Sequence, residues 1–238
     1  EFDSAAGSSA LRTLAKAEMV AVLSAFKSAA ALEYADVMLP VAPFTETAGT
    51  YVSCEGRAQS FYAVVKPRGE ARPAWKVFKV IGDMLGLDGF SVDSVEAVRK
   101  RVLEADGSVD QSKLGNAVQG IEVKLGAASG KLERVADVPI YFADPIARRS
   151  APLQRTSDAA EPQARVSKAT LAQIGVDAGA RVKVTAAEGA VVVTLVEDGG
   201  VADGCVRLAA AHVLTAPLGA LNGEVSVERV RSEERRVG

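Results

Sequence analysis

ADVMLPVAPFTETAGTYVSCEGRAQSFYAVVKPRGEARPAWKVFKVIGDMLGLDGF, residues Ala35 to Phe90, is the stretch on which the reading of the chain turns. It opens with a short apolar run, Asp36 to Leu39, stopped at Pro40. Just upstream, Met19 to Phe26 gathers valine, leucine and phenylalanine into what reads as a buried strand, and Ser28 to Tyr34 has the alanine-rich composition of a short helix. Strand, helix and strand in that order predict a parallel βαβ unit of a layered α/β domain, whose ligand sites lie at the carboxyl ends of its strands. The segment after Pro40 is therefore where a ligand loop is expected. Within it Gly49 and Gly56 bracket Thr50 to Glu55, and Phe61 to Val65 alternates weakly, as a strand would. Pro67, Arg68 and Gly69 predict a turn. Pro73 then stands at the first turn of a helix expected from Ala74 to Leu85, where its missing N–H costs little. Trp75, Phe78, Val80, Ile81 and Leu85 recur at helical spacing and predict one apolar face.

Outward from this stretch, Leu11 to Ala17 has helical composition and Val95 to Ala105 reads as a charged helix. Ser150 to Gln163, with Pro152, Pro162 and small polar residues, reads as an exposed connection and a domain boundary. After it the period changes. Ala180 to Ala186 and Ala190 to Val196 are valine-rich runs parted by Glu188-Gly189, and Asp198-Gly199-Gly200 makes a turn before Gly204 to Leu208. Short strands with glycine turns predict a small β-barrel or sandwich, with Val225 to Val230 as its last strand. Residues 1–150 are thus expected to form an α/β domain with a helical extension, 151–230 a β-barrel domain, and 231–238 a frayed or non-native tail.

Apolar residues make up 48% of the chain and charged ones 24%, a globular composition unlike that of a disordered chain. A net charge of −2 gives no electrostatic draw towards nucleic acid, and none is expected as a partner. The longest apolar runs fall short of the ~20 residues of a membrane span, so no direct membrane insertion is expected. Residue 1 is Glu1 rather than methionine, from which the chain is expected to be a fragment of a longer polypeptide or a processed one.

The only cysteines are Cys54 and Cys205 and the only histidine is His212. Iron–sulfur clusters take four thiolates with occasional histidine, and structural zinc takes four Cys/His ligands, so neither assembles from this chain alone. Reduced thiols are expected, with Cys54 read as a small buried hydrophobe. His212 lies in an alanine-rich stretch and is read as structural. No GxSxG, P-loop or GxGxxG pattern occurs, and no catalytic residue is assigned.

One constellation has a functional look, GTYVSCEGRAQ from Gly49 to Gln59. Its backbone amides with Thr50, Glu55, Arg57 and Gln59 suit an anionic, hydrogen-bonding ligand, because arginine offers a planar fork for phosphate. Equally, Glu55 and Arg57 can serve to fix the loop against the protein.

Ala35 to Pro40, Gly49, Thr50, Glu55 to Arg57, Gln59, Pro67, Gly69 to Pro73 and Trp75 together resemble the third-domain segment of molybdopterin oxidoreductases. Leu171, Gly175, Gly179, Val182 and Val184 resemble that family's C-terminal barrel. Tyr141, Asp144, Arg148, Arg149, Leu153, Gln154 and Thr156, within YFADPIARRSAPLQRT, resemble the G-subunit branch of bacterial NADH-quinone oxidoreductase, respiratory complex I. The threonine-glycine-arginine cofactor motif of molybdenum enzymes is missing before the barrel. The resemblance implies an α/β fold class, a partial molybdopterin-oxidoreductase-like layered α/β domain followed by a small, double-psi-like β-barrel. It implies a scaffold role without a cofactor in this part, within a complex that carries electrons from NADH to quinone. Iron–sulfur clusters are then expected upstream, other peripheral-arm subunits as partners, and a cytoplasmic place peripheral to a bacterial inner membrane. The alternative is part of a molybdopterin enzyme such as a formate dehydrogenase, in which Thr50, Glu55, Arg57 and Gln59 contact the pterin.

Overall fold

The computed structural model describes residues 8–103, 107–110, 112, 114–115, 117, 119–122 and 129–230. The expected tail at 231–238 and the last residues of the helix expected from Val95 to Ala105 lie outside the described residues. Two compact units are present, Met19–Lys124 and a second formed by Leu125–Gly238 with Glu1–Glu18. A short helix α1 (Ser8–Leu14) belongs to the second unit.

In the first unit, strand β1 (Ala21–Ser24), helix α2 (Ala29–Tyr34) and strand β2 (Val37–Pro40) form the expected parallel βαβ unit, paired from Ala21 with Val37 to Ser24 with Pro40. Ser28 caps α2 by accepting the Ala31 N–H at 3.1 Å, which starts the helix where the apolar run has ended. The Asp36 carboxylate accepts the Val20 N–H at 2.7 Å and so pins the entry of β1 beside the start of β2.

The segment after Pro40 is not an open loop. Strands β3 (Gly49–Val52) and β4 (Ala58–Phe61) form an antiparallel hairpin, with Thr50 opposite Ser60 and Tyr51 opposite Gln59. The strand expected at Phe61 to Val65 lies three residues earlier, because the turn from Ser53 to Arg57 fixes the register. Beyond Phe61 the Val64 and Val65 amides reach the Thr45 carbonyl instead of a strand partner, and Tyr62 and Val64 are exposed.

Helix α3 (Ala74–Met84) follows Pro73 as expected. Its expected apolar face is only partly used. Trp75, Phe78 and Gly82 share one side, and the Phe90 ring occupies the space where a Cβ on Gly82 would lie, whereas Phe78, Val80, Ile81 and Leu85 all remain exposed. Gly82 thus costs helix propensity but admits the ring against the backbone. Helix α4 (Val95–Val102), capped by Ser94 accepting the Ala97 N–H at 3.1 Å, supplies Val98 and Val102 to the same neighbourhood.

The second unit holds a closed barrel of β5 (Leu132–Val135), β6 (Ala164–Val166), β7 (Arg181–Thr185), β8 (Ala190–Glu197), β9 (Cys205–Arg207) and β10 (Asn222–Arg229). Its order is β10-β5-β9-β6-β8-β7, with β7 returning to β10. β5 with β9 and β6 with β8 are parallel, and the other neighbours antiparallel. Alternation builds the core, since Val182 faces Val193 and Val184 faces Val191 across β7 and β8, all buried. Ala164, Val166, Leu195, Val206, Leu208, Leu218 and Val225 complete it.

The boundary expected at 150 falls inside this unit, because β5 precedes it and pairs with both β9 and β10. Two helical turns, α5 (Ile140–Ala143) and α6 (Pro145–Arg148), precede β6. Helix α7 (Lys168–Ile174) follows β6, starts at Ser167 and ends at Gly175, whose φ of 70° gives the left-handed C-cap that a side chain would resist.

An alanine at Gly82 should gain about 1 kcal/mol of helix propensity yet destabilise the first unit by about 1–3 kcal/mol, because Phe90 must move. Urea unfolding followed by the fluorescence of Trp75, the only tryptophan, measures this, and Phe90→Ala in the same chain should recover much of the loss. A raised midpoint in the single variant Gly82→Ala contradicts the packing argument.

Candidate functional site

The hairpin does not gather the four residues expected to hold a ligand. Thr50 lies on one face of β3 and Gln59, opposite Tyr51, on the other, as strand alternation requires. Glu55 and Arg57 are exposed in the turn, and Gln59 is exposed on β4. The turn is held by backbone and by Ser53: the Gly56 N–H donates to the Ser53 carbonyl at 2.9 Å, and the Arg57 N–H to the Ser53 hydroxyl at 3.2 Å. Among the described residues neither Glu55 nor Arg57 forms an ion pair, so they do not act as the loop's anchor. Cys54, expected to be buried, is exposed, because it falls in this solvent-facing turn rather than on a strand face.

Both glycines of the loop are filled by the chain's own side chains. The Phe61 ring lies over Gly49, where a Cβ would come within 2.8 Å of it, and stacks on Tyr51 with centroids 5.0 Å apart. At Gly56, with φ of 80°, the Leu114 side chain takes the corresponding space. Glycine that lets a backbone approach a phosphate leaves an open cradle, and neither position offers one.

Thr50 instead faces a groove of about 320 Å³ between the hairpin, the start of α3 and α4. Its walls are mostly apolar, with Val52, Trp75, Val95, Val98, Val102 and Leu103 among them, and among the described residues Arg99 is the only ionisable side chain lining it. The Thr50 and Ser60 hydroxyls share a hydrogen bond at 3.1 Å, and Arg99 Nη1 donates to Ser60 Oγ at 2.8 Å. Glu96 forms an i,i+3 ion pair with Arg99 Nη2 at 3.7 Å, longer than a hydrogen bond. Trp75 also lines the two neighbouring grooves, one with Lys66, Arg72 and Lys76 and the other with Phe78, Phe90 and Arg101. The sequence reading missed Arg99 and Ser60. The signal for Arg99 was available, because Val95, Val98, Arg99 and Val102 share one helical face of α4.

In the second unit the Tyr141 to Thr156 signature is a self-capped knot rather than a ligand site. Asp144 caps α6 through the Ile146 and Ala147 amides at 2.7 and 3.1 Å. Arg148 Nε donates to the Phe142 carbonyl at 2.5 Å, and the Gln154 amide donates to the Tyr141 and Ala147 carbonyls at 3.2 and 3.0 Å. Phe142 is buried against the His212 ring, with centroids 5.0 Å apart. His212 Nδ1 accepts the Leu214 N–H at 3.1 Å, so its one neutral acceptor is used structurally, as expected. Cys205 is partly buried and both cysteines are free. Among the described residues no group of three or more His, Cys, Asp and Glu side chains is arranged to hold a metal ion.

Buried Arg134, on β5, was not anticipated. It donates from Nη1 to the Ala220 carbonyl at 2.9 Å and from Nη2 to the Leu208 carbonyl at 3.4 Å, tying together the segments after β9 and before β10. Burial pulls its pKa down from the usual arginine range.

Residues 2–84 match the molybdopterin oxidoreductase family. Over that stretch, about a third of its length, the chain is similar to molybdopterin oxidoreductases. It is 33% identical over 137 residues to the mitochondrial NADH-ubiquinone oxidoreductase 78 kDa subunit of Neurospora crassa, a match covering 53% of this chain and 18% of that protein. It is 46% identical over 55 residues to a putative formate dehydrogenase of Staphylococcus aureus (strain bovine RF122 / ET3-1), covering 23% of this chain and 6% of that protein. The chain therefore spans less than a fifth of the length of these relatives. Among solved structures, acetylene hydratase from Pelobacter acetylenicus superposes with a TM-score of 0.59 at 16% identity, over 93% of this chain and 42% of that one. That likeness establishes the molybdopterin-oxidoreductase-like fold and nothing of the chemistry. Against the family's pterin, the hairpin fits poorly: its glycines are occupied by Phe61 and Leu114, and Thr50 and Gln59 point to opposite faces.

Burial lowers the pKa of His212, opposed by the weaker attraction of Glu161. An imidazole whose folded pKa lies below its unfolded value, about 6.5, contributes stability that is present above that value and lost as pH falls through the folded pKa. The single histidine should therefore titrate below 6.5 in a proton NMR titration, and His212→Gln should flatten the acid limb of thermal stability. A midpoint at or above 6.5 contradicts the assignment.

Proposed function

We infer that the chain is a scaffold part of a G-type large subunit of NADH-quinone oxidoreductase, with no redox centre of its own. The length of the similarity carries this reading: it runs over 137 residues with the 78 kDa NADH-ubiquinone oxidoreductase subunit and over 55 with the formate dehydrogenase. The occupied hairpin glycines and the separate, unpaired thiols accord with it. In this reading the iron–sulfur clusters belong to other domains of the parent polypeptide, and this part alone is not catalytic. Transfer of electrons from NADH to quinone is an activity of the assembled complex. The partners are other peripheral-arm subunits, and the location is cytoplasmic, peripheral to a bacterial inner membrane through that complex. None of the described helices is long and apolar enough to cross a membrane.

A second reading draws on the 46% identity to the putative formate dehydrogenase, higher although shorter. Under it the Gly49 to Gln59 hairpin contacts a pterin.

Metal and pterin analysis of the purified parent protein separates the two. The scaffold reading expects iron without molybdenum or tungsten, and no fluorescent oxidised pterin on denaturation. Stoichiometric molybdenum or tungsten with pterin, lost in Arg57→Ala, overturns it in favour of the second.

A further inference from the structure

We propose that the groove between β3, the start of α3 and α4 binds a medium-chain monocarboxylate, its acyl chain against Trp75, Val98 and Val102 and its carboxylate on Arg99. Small-ligand sites are mostly apolar, with a few convergent polar groups that fix orientation, and range over about 300–1,000 Å³. This groove, at about 320 Å³, sits at the compact end of that range and has that composition. Its polar lining is Thr47, Thr50 on β3 and Arg99 on α4, and Ser60 on β4, outside the lining, hydrogen-bonds to both Thr50 and Arg99. Arg99 Nη1 donates to Ser60 Oγ at 2.8 Å, which orients the guanidinium, and Nη2 forms an ion pair with Glu96 at 3.7 Å.

Among the described residues Arg99 is the one ionisable side chain in the lining, and it is 30% exposed, so it is partly desolvated and still accessible. A planar guanidinium matches a carboxylate through two parallel N–H···O bonds. The ligand carboxylate competes with Glu96, whose half-exposed i,i+3 ion pair with Arg99 at 3.7 Å is of the weak surface kind. The remaining described walls offer aliphatic side chains, Thr47 and one indole face, and among the described residues no second cation that would favour a phosphate dianion. The inference rests on this groove's own residues and stands apart from the family assignment.

Trp75 makes the test direct, since it lines the groove and is the chain's only tryptophan. The full chain is titrated with decanoate below its micelle concentration while Trp75 fluorescence is recorded, with decanol and decylammonium as the uncharged and cationic probes. Decanoate should give a saturable change at a concentration at least about tenfold lower than either control, the scale of a charge-assisted hydrogen bond. Arg99→Gln should remove that preference while leaving decanol unchanged. Val98→Phe, which fills the groove without touching its charge, should abolish saturation by decanoate. Urea midpoints show whether each variant is folded, and Arg99→Lys serves as the charge-retaining variant, expected to keep the preference for decanoate over decanol. Equal responses to decanoate and decanol, or a preference that survives Arg99→Gln in a folded chain, overturn the proposal.

Discussion

Strand β10 is divided between two partners, and the barrel depends on it. Asn222 to Val225 pair with β5 and Ser226 to Arg229 pair with β7, so one strand joins the two ends of the sheet. Closure removes every edge, and each inward position meets another apolar side chain. The alternation of valines on β7 and β8 is useful only because a partner closes the far side. Arg134 belongs to the same constraint. Its backbone pairs with Gly223 and Val206, and its guanidinium holds the Ala220 and Leu208 carbonyls, so the approach to β10 and the departure from β9 are fastened to the strand between them. A charge buried here has no carboxylate beside it among the described residues, and the carbonyl dipoles compensate for part of the water it has lost.

The first unit is organised differently. Its sheets are two-stranded, β1 with β2 and β3 with β4, and isolated two-stranded pieces gain little from their own hydrogen bonds. What holds the hairpin is side-chain contact: Tyr51 on Phe61, Phe61 over Gly49, Leu114 at Gly56 and Arg99 to Ser60. The same contacts border the groove, since α4 reaches the hairpin through Arg99 and leaves an apolar gap beside that bond.

Local rules made much of this legible. The βαβ order was readable because Ser28 is a capping residue between two apolar runs, and the barrel hairpin because Val182, Val184, Val191 and Val193 alternate around a Glu188-Gly189 turn. Two barrel strands were missed for one reason. In β5 the inward position Arg134 is charged, and in β6 only three residues, Ala164 to Val166, pair, so neither shows an apolar period long enough to detect. The exposed position of Cys54 was missed because burial statistics for cysteine describe strand and helix faces, whereas here the residue occupies a turn.

Glycine spacing misled most at the candidate site, and the reason is physical. A glycine reports that something approaches the backbone closely, without saying what. At Gly49 and Gly56 the approaching groups are Phe61 and Leu114 of the same chain, so the pattern that suggested a phosphate cradle records internal packing. The functional chemistry of the unit then passes to a residue with no motif around it. Arg99 reaches Thr50 and Ser60 only because α4 folds back over the hairpin, a separation of 39 residues between Arg99 and Ser60 that no local pattern encodes. Sequence similarity pointed to the fold, through a run of glycines and prolines between Ala35 and Trp75. The polar end of the groove is instead a product of tertiary folding.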